Sequence, residues 1–273
     1  VKAPLGVSAA ECIEAAGNTA LKGYSVIMGG PMMGKILGSR QLKDRYITKA
    51  DGGIIVIPED HYLVNREFVS VRHIVNQAKS ACIQCSYCTD MCPRYLIGHK
   101  LRPHRIMRAV ATGIENDEIY NEAMICCECG ICELYACPMG LSPRKVNIHI
   151  KNRLRDKGIK PSGFCKNPSN SAMRDFRKVP SQRLISRLGL SKYDGKVVDE
   201  VVELHPERVC IPLKQHIGAC ASPVVTCGEV VNKGQLIAAA DYEGTGANIH
   251  ASIDGVIEEI GSTHIFIKSA GLE

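Results

Sequence analysis

Two runs of cysteines constrain this chain more than any other feature of its sequence. Each run has three cysteines at intervals of three residues and a fourth before a proline: Cys82, Cys85, Cys88 and Cys92, then Cys126, Cys129, Cys132 and Cys137. Three thiolates on one tight loop can bind three irons of a cubane cluster. The pattern therefore predicts two [4Fe–4S] clusters and a protein that moves electrons one at a time.

The position of the fourth cysteine predicts crossed ligation. A cysteine directly before proline is directed away from its own loop and normally binds the other cluster. We therefore expect Cys137 to complete the cluster of the first run, and Cys92 to complete the cluster of the second. The second run has four residues before its last cysteine where the first has three, so one residue of that run should bulge out.

Cys126 and Cys127 are adjacent, and only Cys126 lies three residues before Cys129. We therefore predict that Cys126 is the ligand and that Cys127 is a small packing residue. The cysteines outside the two runs are scattered, and the simplest interpretation is that they are buried, inert thiols: Cys12, Cys165, Cys210, Cys220 and Cys227.

Other uses of cysteine fit the spacing less well. Structural zinc favours two cysteine pairs separated by a longer loop, whereas here a third cysteine follows after three residues, twice. Nine of the 14 cysteines fall between positions 82 and 137, and a chain of this length does not need disulfides for stability. The C-x3-C-x2-C spacing expected of a radical enzyme is missing from the sequence.

Length and composition allow two or three domains in 273 residues, 45% of them hydrophobic. No apolar run approaches 18 residues, so no membrane span is expected. The first residues do not resemble a signal peptide, and the absence of a starting Met suggests a fragment or a processed form. Many free thiols and oxygen-sensitive clusters indicate a reducing cytoplasm.

The net charge of +6 is concentrated in one stretch. Residues 151–192 contain 12 Lys or Arg and two acids, a net charge of +10, which leaves the rest of the chain near −4. Nucleic acid is not the expected partner, because a binding motif and interleaved aromatics are missing. The stretch is interpreted as a solvated linker with one helix, or as a docking surface for an acidic redox or shell partner.

Four segments follow from the local patterns. Residues 1–66 are predicted to be α+β, with a capping box from Ser8 to Glu11 and strands over 24–28 and 53–57. The glycine-rich loop at 29–34 between these strands is either a ligand-binding loop or a plain turn. Residues 67–160 are predicted to be helical, with helices over 70–81, 103–111, 117–124 and 143–155. Residues 161–206 are predicted to be the basic linker.

Residues 207–273 are predicted to form a small β-sandwich or barrel of short strands separated by glycines. The predicted strands lie at 224–225, 230–231, 236–239, 249, 253, 256–257 and 265–267. Two halves, 227–236 and 249–256, resemble a lipoyl-type carrier sandwich, but the hairpin between them has no carrier lysine. His250 is interpreted as a structural histidine, with ligand binding as the alternative.

The order of these parts resembles the PduS-type cobalamin (corrinoid) reductases, which are related to the RnfC subunits of membrane electron-transport complexes. The resemblance rests on the Gly-Gly-Pro-Met-Met-Gly loop at 29–34, the two cysteine runs, and the segments 211–218 and 247–255 of the sandwich. RnfC places this sandwich at its N-terminus, so the C-terminal position here favours the PduS type. The implied architecture is α+β and multidomain: a partial β-grasp (SLBB-like) segment, a helical dicluster ferredoxin domain and a C-terminal barrel-sandwich hybrid.

The resemblance also implies a function. Electrons would pass from NADH to FMN, then to the clusters, and then to a corrinoid or a corrinoid adenosyltransferase, in the cytoplasm within a bacterial microcompartment. A shell protein is a further expected partner. FMN and NADH binding is expected to need a domain upstream of Val1. The alternative is an RnfC-like electron-transfer subunit or adaptor, which passes electrons to ferredoxin or a shell protein and has no substrate of its own.

Overall fold

The structure is a computed structural model, and it describes residues 1–17, 19, 21–161, 164–195, 197–198, 200–241 and 244–271. The chain divides into two compact units. The first consists of Val1–Gly30, Gly34–Asp60 and Val197–Glu273, and the second of Pro31–Met33 and His61–Lys196. Among the described residues, no helix combines the length and the apolar character needed to cross a membrane.

The described helices are, in chain order, α1 (Ala9–Ala15), α2 (Tyr62–Glu67), α3 (Val71–Ala81), α4 (Tyr87–Asp90), α5 (Pro93–Leu96), α6 (Pro103–Thr112), α7 (Asp117–Asn121), α8 (Pro143–Asp156) and α9 (Ser181–Arg187). The strands are β1 (Tyr24–Met28), β2 (Lys35–Gly38), β3 (Ile54–Pro58), β4 (Arg208–Pro212), β5 (Ser222–Pro223), β6 (Val230–Val231), β7 (Leu236–Ala239), β8 (Ile249–His250), β9 (Gly255–Ile260) and β10 (His264–Ser269).

The N-terminal part of the first unit combines α1 with a three-stranded antiparallel sheet in the order β2-β1-β3. The predicted capping box is confirmed: Ser8 accepts from the Glu11 backbone N–H, and the Glu11 carboxylate accepts from the Ser8 N–H. Strands β1 and β3 were predicted from their apolar, β-branched sequences. Strand β2 was missed because its four residues include a lysine and a glycine, and its burial is only partial.

The remainder of the first unit is built from two small sheets with the orders β4-β10-β9-β6 and β5-β7-β8. Their apolar faces share one aliphatic core: Val209, Ile211, Val231, Ile237, Ile249, Ile257, Ile265 and Ile267. The predicted strand at 224–225 is wrong by two residues, because the strand pairing ends at Pro223. Strand β4 was missed, and Ile253 lies outside the strands.

The second unit is helical, as predicted. Ser70 caps α3 and Ser142 caps α8, each by accepting a backbone N–H three residues on. Helix α6 begins at Pro103 and ends at Gly113, whose φ of 71° is left-handed. The predicted helix over 117–124 is shorter than expected, because α7 changes to a 3-10 turn over Glu122–Ile125 immediately before the second cysteine run.

Described residues of the basic stretch belong largely to this second unit. The predicted single helix is present as α9, and a 3-10 turn occupies Arg174–Arg177. The Ser171 N–H donates to Leu96 O at 2.9 Å, and Arg187 Nη2 donates to Tyr135 O at 3.2 Å. The stretch therefore makes specific contacts with the segments that carry the cysteines.

Candidate iron–sulfur site

The two cysteine runs form loops with the same backbone conformation. In the first loop, Gln84 and Ser86 have φ values of 56° and 61°. In the second loop, Glu128 and Gly130 have φ values of 61° and 80°. These pairs occupy matching positions, on either side of the middle cysteine of each loop. Left-handed backbone at non-glycine residues is uncommon and concentrates at functional sites.

This match also sets the register of the second run. Gln84 follows Cys82 by two residues, and Glu128 follows Cys126 by two residues. Cys126 therefore occupies the position that Cys82 has in the first loop. Cys127 takes the position of Ile83, which supports the prediction that Cys126 rather than Cys127 is a ligand.

A cavity in the second unit is bounded by four candidate ligands: Cys82, Cys85, Cys88 and Cys137. Much of the remaining wall is apolar: Ile83, Met107, Pro138, Met139, Leu141 and Pro143. His104 also lines it, and its Nδ1 lies 2.7 Å from Thr89 Oγ1. Burial lowers the pKa of the His104 imidazole, which favours its neutral form at pH 7.

A second cavity is bounded by the other four candidate ligands: Cys92, Cys126, Cys129 and Cys132. Its wall differs from that of the first cavity, because it includes the charged side chains of Glu128 and Arg144 and the amide of Asn147. Cys127 lies at the same cavity. The structure therefore brings the last cysteine of each run beside the first three cysteines of the other.

Local structure explains how the last cysteines leave their own loops. Cys92 precedes α5 with Pro93 at the first helical position, and it is only 7% exposed. In the second run the extra residue is absorbed by a π-helical turn over Ile131–Tyr135. There the Ala136 N–H donates to Ile131 O, five residues back, at 2.9 Å. The matching first-run turn is α-helical, so the predicted bulge is present as a π turn.

Several hydrogen-bond donors point at the cysteine sulfurs. The Glu128 N–H donates to Cys126 Sγ at 3.4 Å and the Leu141 N–H to Cys137 Sγ at 3.3 Å. Gln84 Nε2 lies 3.1 Å from Cys82 Sγ. Donors of this kind stabilise a thiolate, and around a cluster they influence its reduction potential.

Two buried ion pairs fix the segments around the cavities. Arg66 Nε donates to Glu133 Oε1 at 2.9 Å, and Ser142 Oγ donates to the other carboxylate oxygen of Glu133. Arg102 binds Glu122, which is 3% exposed, in the turn just before Cys126. Glu133 thereby joins the π turn of the second run to Arg66 of α2 and to Ser142, which caps α8.

Three of the scattered cysteines predicted to be buried are instead exposed: Cys165, Cys220 and Cys227. At the two cavities, burial dominates the chemistry of four free thiols. It raises the pKa of Cys88 to about 12 and that of Cys92 to about 11. Burial also raises the pKa values of Cys126 and Cys132. Since iron binds thiolates, these thiols must lose protons when a metal is bound.

The donor set fits a cubane better than a single ion. Four thiolates around one tetrahedral ion must all lie within about 2.3 Å of it, whereas each thiolate of a cubane binds a separate iron. In the part of the chain that the structure describes, no three His, Cys, Asp or Glu side chains are grouped closely enough to hold one ion. The four cysteines in the wall of each cavity, with their left-handed loops, are compatible with cubane clusters.

The sequence analysis missed the polar face of α8. Arg144 and Asn147 line the second cavity, and Lys151 Nζ donates to Cys126 O at 2.8 Å. Their spacing of three and four residues places them on one face of a helix, a signal that the sequence contained. In contrast, His250 is exposed on β8, and residues 30–34 form a tight turn closed by the Gly34 N–H and Gly30 O at 2.7 Å.

Comparison with protein-family models gives two matches. A 4Fe-4S dicluster domain matches residues 81–142, which include both cysteine runs. An RnfC barrel sandwich hybrid domain matches residues 195–272. These matches confirm the predicted dicluster domain, its two [4Fe–4S] clusters as cofactors, and the predicted barrel-sandwich hybrid.

Comparison with whole proteins is more specific. The cobalamin reductase PduS of Salmonella typhimurium is 40% identical over 270 residues, which is 98% of this chain and 58% of that protein. The PduS of Citrobacter freundii is 38% identical over 258 residues, covering 94% of this chain and 56% of that protein. The predicted resemblance to the PduS-type reductases is confirmed. The chain spans less than three fifths of these relatives.

RnfC-type proteins are similar over a shorter region. One protein of the proton-translocating ferredoxin:NAD(+) oxidoreductase complex of Clostridium ljungdahlii is 47% identical over 70 residues, which is 26% of this chain and 15% of that protein. The similarity to PduS extends along almost the whole chain, so the RnfC-like alternative fits less well.

Proposed function

We propose that this chain is the electron-relay portion of a PduS-like cobalamin reductase, with one cluster in each cavity. The first cluster would be held by Cys82, Cys85, Cys88 and Cys137, and the second by Cys126, Cys129, Cys132 and Cys92. The observation that supports this is the composition of the cavity walls, in which three cysteines of one run meet the last cysteine of the other.

The proposed reaction needs single-electron carriers. A corrinoid cobalt accepts electrons one at a time, whereas NADH donates a hydride, so a flavin must separate the pair. The clusters would supply one-electron transfer between flavin and corrinoid. The protein's own part is to hold the thiolates, restrict water and set the charge around each site. The FMN and NADH steps, and a β-grasp (SLBB-like) nature for residues 1–66, remain part of this proposal through the PduS resemblance.

Corrinoid reduction by the reduced chain is the test. The iron-loaded chain is reduced anaerobically with dithionite, desalted and mixed with cob(III)alamin or cob(II)alamin, while visible spectra record cobalt reduction and cluster oxidation. We expect about eight iron per chain and loss of the reduced-cluster signal in step with cobalt reduction. Cys85→Ser and Cys129→Ser, one variant for each cavity, should each interrupt transfer. A chain that binds zinc and gives no reducible cluster would refute the proposal.

The alternative is an adaptor that passes electrons to ferredoxin, as the local similarity to the clostridial protein suggests. The same reduced chain mixed with an oxidised ferredoxin separates the two. Rapid transfer to ferredoxin together with no transfer to either corrinoid would favour the adaptor. Competition between corrinoid and ferredoxin in one reaction gives the preference directly.

A cytoplasmic location inside a microcompartment, with a corrinoid adenosyltransferase or a shell protein as partner, also belongs to the proposal. The positive charge of the basic stretch supports docking to an acidic surface. Phe176 lies between Arg174 and Arg177 and is 81% exposed, so it would add an apolar contact to such a surface. Co-sedimentation with purified shells at low and high salt would test this. Binding that is lost at high salt, and reduced in Phe176→Ser, is expected.

A further inference from the structure

One face of α8 directs three polar side chains at the second cysteine loop: Arg144, Asn147 and Lys151. Asn147 is 1% exposed, and its Nδ2 lies 3.6 Å from Cys126 Sγ. The buried Asn147 Oδ1 has no hydrogen-bond partner among the described residues. The amide of Asn147 is buried at the cavity wall, and its nitrogen contacts a cysteine sulfur. Together with the four cysteines, it indicates that this wall binds a ligand.

The two cations on this face differ in their neutralisation. Lys151 Nζ lies 2.6 Å from Glu128 Oε1, so its charge is paired. Arg144 forms no ion pair with a carboxylate among the described residues. Its Nη1 donates to the neutral Met32 O at 3.2 Å. Its Nε is buried and has no hydrogen-bond partner among the described residues. Arg144 therefore brings an uncompensated positive charge to the second cavity.

The glycine-rich loop gives Arg144 its fixed position. Pro31–Met33 belongs to the same compact unit as α8. A Cβ added to Gly130 would lie 3.2 Å from Met32 O and 3.6 Å from Met32 Cε, so this loop segment packs closely on the second cysteine loop. The Met32 carbonyl oxygen thus accepts a hydrogen bond from Arg144 while it lies against Gly130. This places Met32 beside the thiolate cavity, where its carbonyl oxygen orients the Arg144 side chain.

The first cavity has no matching charge. Its described lining residues include no Lys or Arg. They include one histidine, His104, and apolar side chains such as Ile83 and Met139. Gain of one electron makes a cluster and its four thiolates more negative by one charge. A nearby permanent cation in a partly buried site stabilises that state far more than it would in water. Charge and hydrogen bonds are among the levers that set cluster potentials.

We propose that the positive charge of Arg144, oriented by the Met32 carbonyl oxygen, raises the reduction potential of the cluster held in the second cavity. This rests on the proposed function, because it requires a cluster at that site. Pro31–Met33 then acts on electron transfer by fixing the guanidinium. The two clusters consequently differ in potential through the charge on α8.

The test is a redox titration followed by electron paramagnetic resonance on the iron-loaded chain and its variants. Arg144→Met keeps the length of the side chain and removes its charge. We expect the reduction equilibrium constant of one cluster to fall at least tenfold, which is about 59 mV for one electron, while the other cluster stays unchanged. Arg144→Lys keeps the positive charge, so its reduction potential should stay close to that of the unmodified chain. Asn147→Leu should shift the reduction potential of the same cluster, which assigns that cluster to the second cavity.

Arg155→Met is the matched control, because it removes an equal charge from an exposed position of the same helix. An equal shift in Arg155→Met, an unchanged potential in Arg144→Met, or a shift confined to the other cluster would overturn the proposal. Loss of the second cluster in both Arg144→Met and Arg144→Gln would also overturn it, by giving Arg144 a role in assembly. Failure of the proposed function has a different signature, since the unmodified chain would then either hold no reducible clusters or transfer no electrons to a corrinoid.

Discussion

Gln84 and Glu128 occupy the same position in two separate loops, and both have left-handed backbone, with φ values of 56° and 61°. Each lies between the first and second cysteines of its run. A side chain in this conformation costs on the order of 1–3 kcal/mol, so the surrounding structure must hold it there. The repeated cost indicates that both loops are shaped around the same kind of ligand.

This shape predicts a contrast between two substitutions at Gln84. Gln84→Gly removes the conformational cost, and we expect both clusters to be kept. Gln84→Val places a β-branched residue at positive φ, which is strongly disfavoured, so iron should fall from about eight to about four per chain. Both variants lose the contact from Gln84 to Cys82 Sγ, which leaves the backbone as the difference. Full iron content in Gln84→Val would contradict this explanation.

The helices and the candidate ligands were accessible from sequence because their signals are local. Pro at a first helical position marked the starts of α6 and α8, and Gly113 marked the end of α6. The cysteine spacing identified eight candidate ligands, and its match to a dicluster domain confirms the kind of cofactor. Which thiolate binds which cluster stays a prediction.

What sequence reasoning missed depends on tertiary packing. Strand β2 has only four residues, and the pairing of both β2 and β4 comes from partners elsewhere in the first unit. The side chains of α8 at the second cavity looked like part of an ordinary basic helix, because nothing local distinguishes Arg144 from Arg155. The π turn that absorbs the extra residue before Cys137 is likewise a consequence of where that cysteine must lie.

Crossed ligation predicts crossed effects of two matched substitutions. Cys92→Ser should perturb the cluster of the second cavity, because Cys92 lies in its wall, and Cys137→Ser should perturb the cluster of the first. Mössbauer and electron paramagnetic resonance spectra, compared with those of Cys129→Ser and Cys85→Ser, identify the affected cluster in each case. Cys92→Ser that resembles Cys85→Ser would show that each run closes its own cluster.

The buried pair of Arg66 and Glu133 predicts a large loss of stability. Arg66→Met leaves the Glu133 carboxylate, 2% exposed, without its cation, and breaking such a pair costs about 3–5 kcal/mol. Arg66 also donates to Leu141 O at 2.9 Å, close to Cys137. We therefore expect visible absorbance to bleach at least tenfold faster in urea.

An exposed pair provides the control for that measurement. Lys100→Met breaks the contact with Glu118, whose side chain is 76% exposed, and water and salt screen such exposed pairs so that they contribute little to stability. Bleaching should change little in this variant. Rates are compared because cluster loss is irreversible, so an equilibrium free energy of unfolding is not defined. Similar rates for Arg66→Met and the unmodified chain would refute the assigned role of the buried pair.

The thiol pKa values predict a pH-dependent order of reactivity in the iron-free chain. Burial raises the pKa of Cys92 to about 11, whereas a hydrogen bond from the Cys129 thiol, assisted by Arg94, lowers the pKa of Cys127. Only thiolates react quickly with iodoacetamide. Between pH 6 and pH 8, Cys127 should therefore react faster than Cys92 and depend less steeply on pH. Cys92 should react slowly and speed up about tenfold per pH unit, because its thiolate fraction rises in that proportion below its pKa.

Mass spectrometry of peptides after short pulses measures both rates, and urea-unfolded chain gives the unperturbed reference. Equal rates for Cys92 and Cys127 in the folded, iron-free chain would contradict the prediction. With the clusters loaded, Cys92 should become unreactive at every pH in this range, because the iron that replaces its proton also blocks its sulfur.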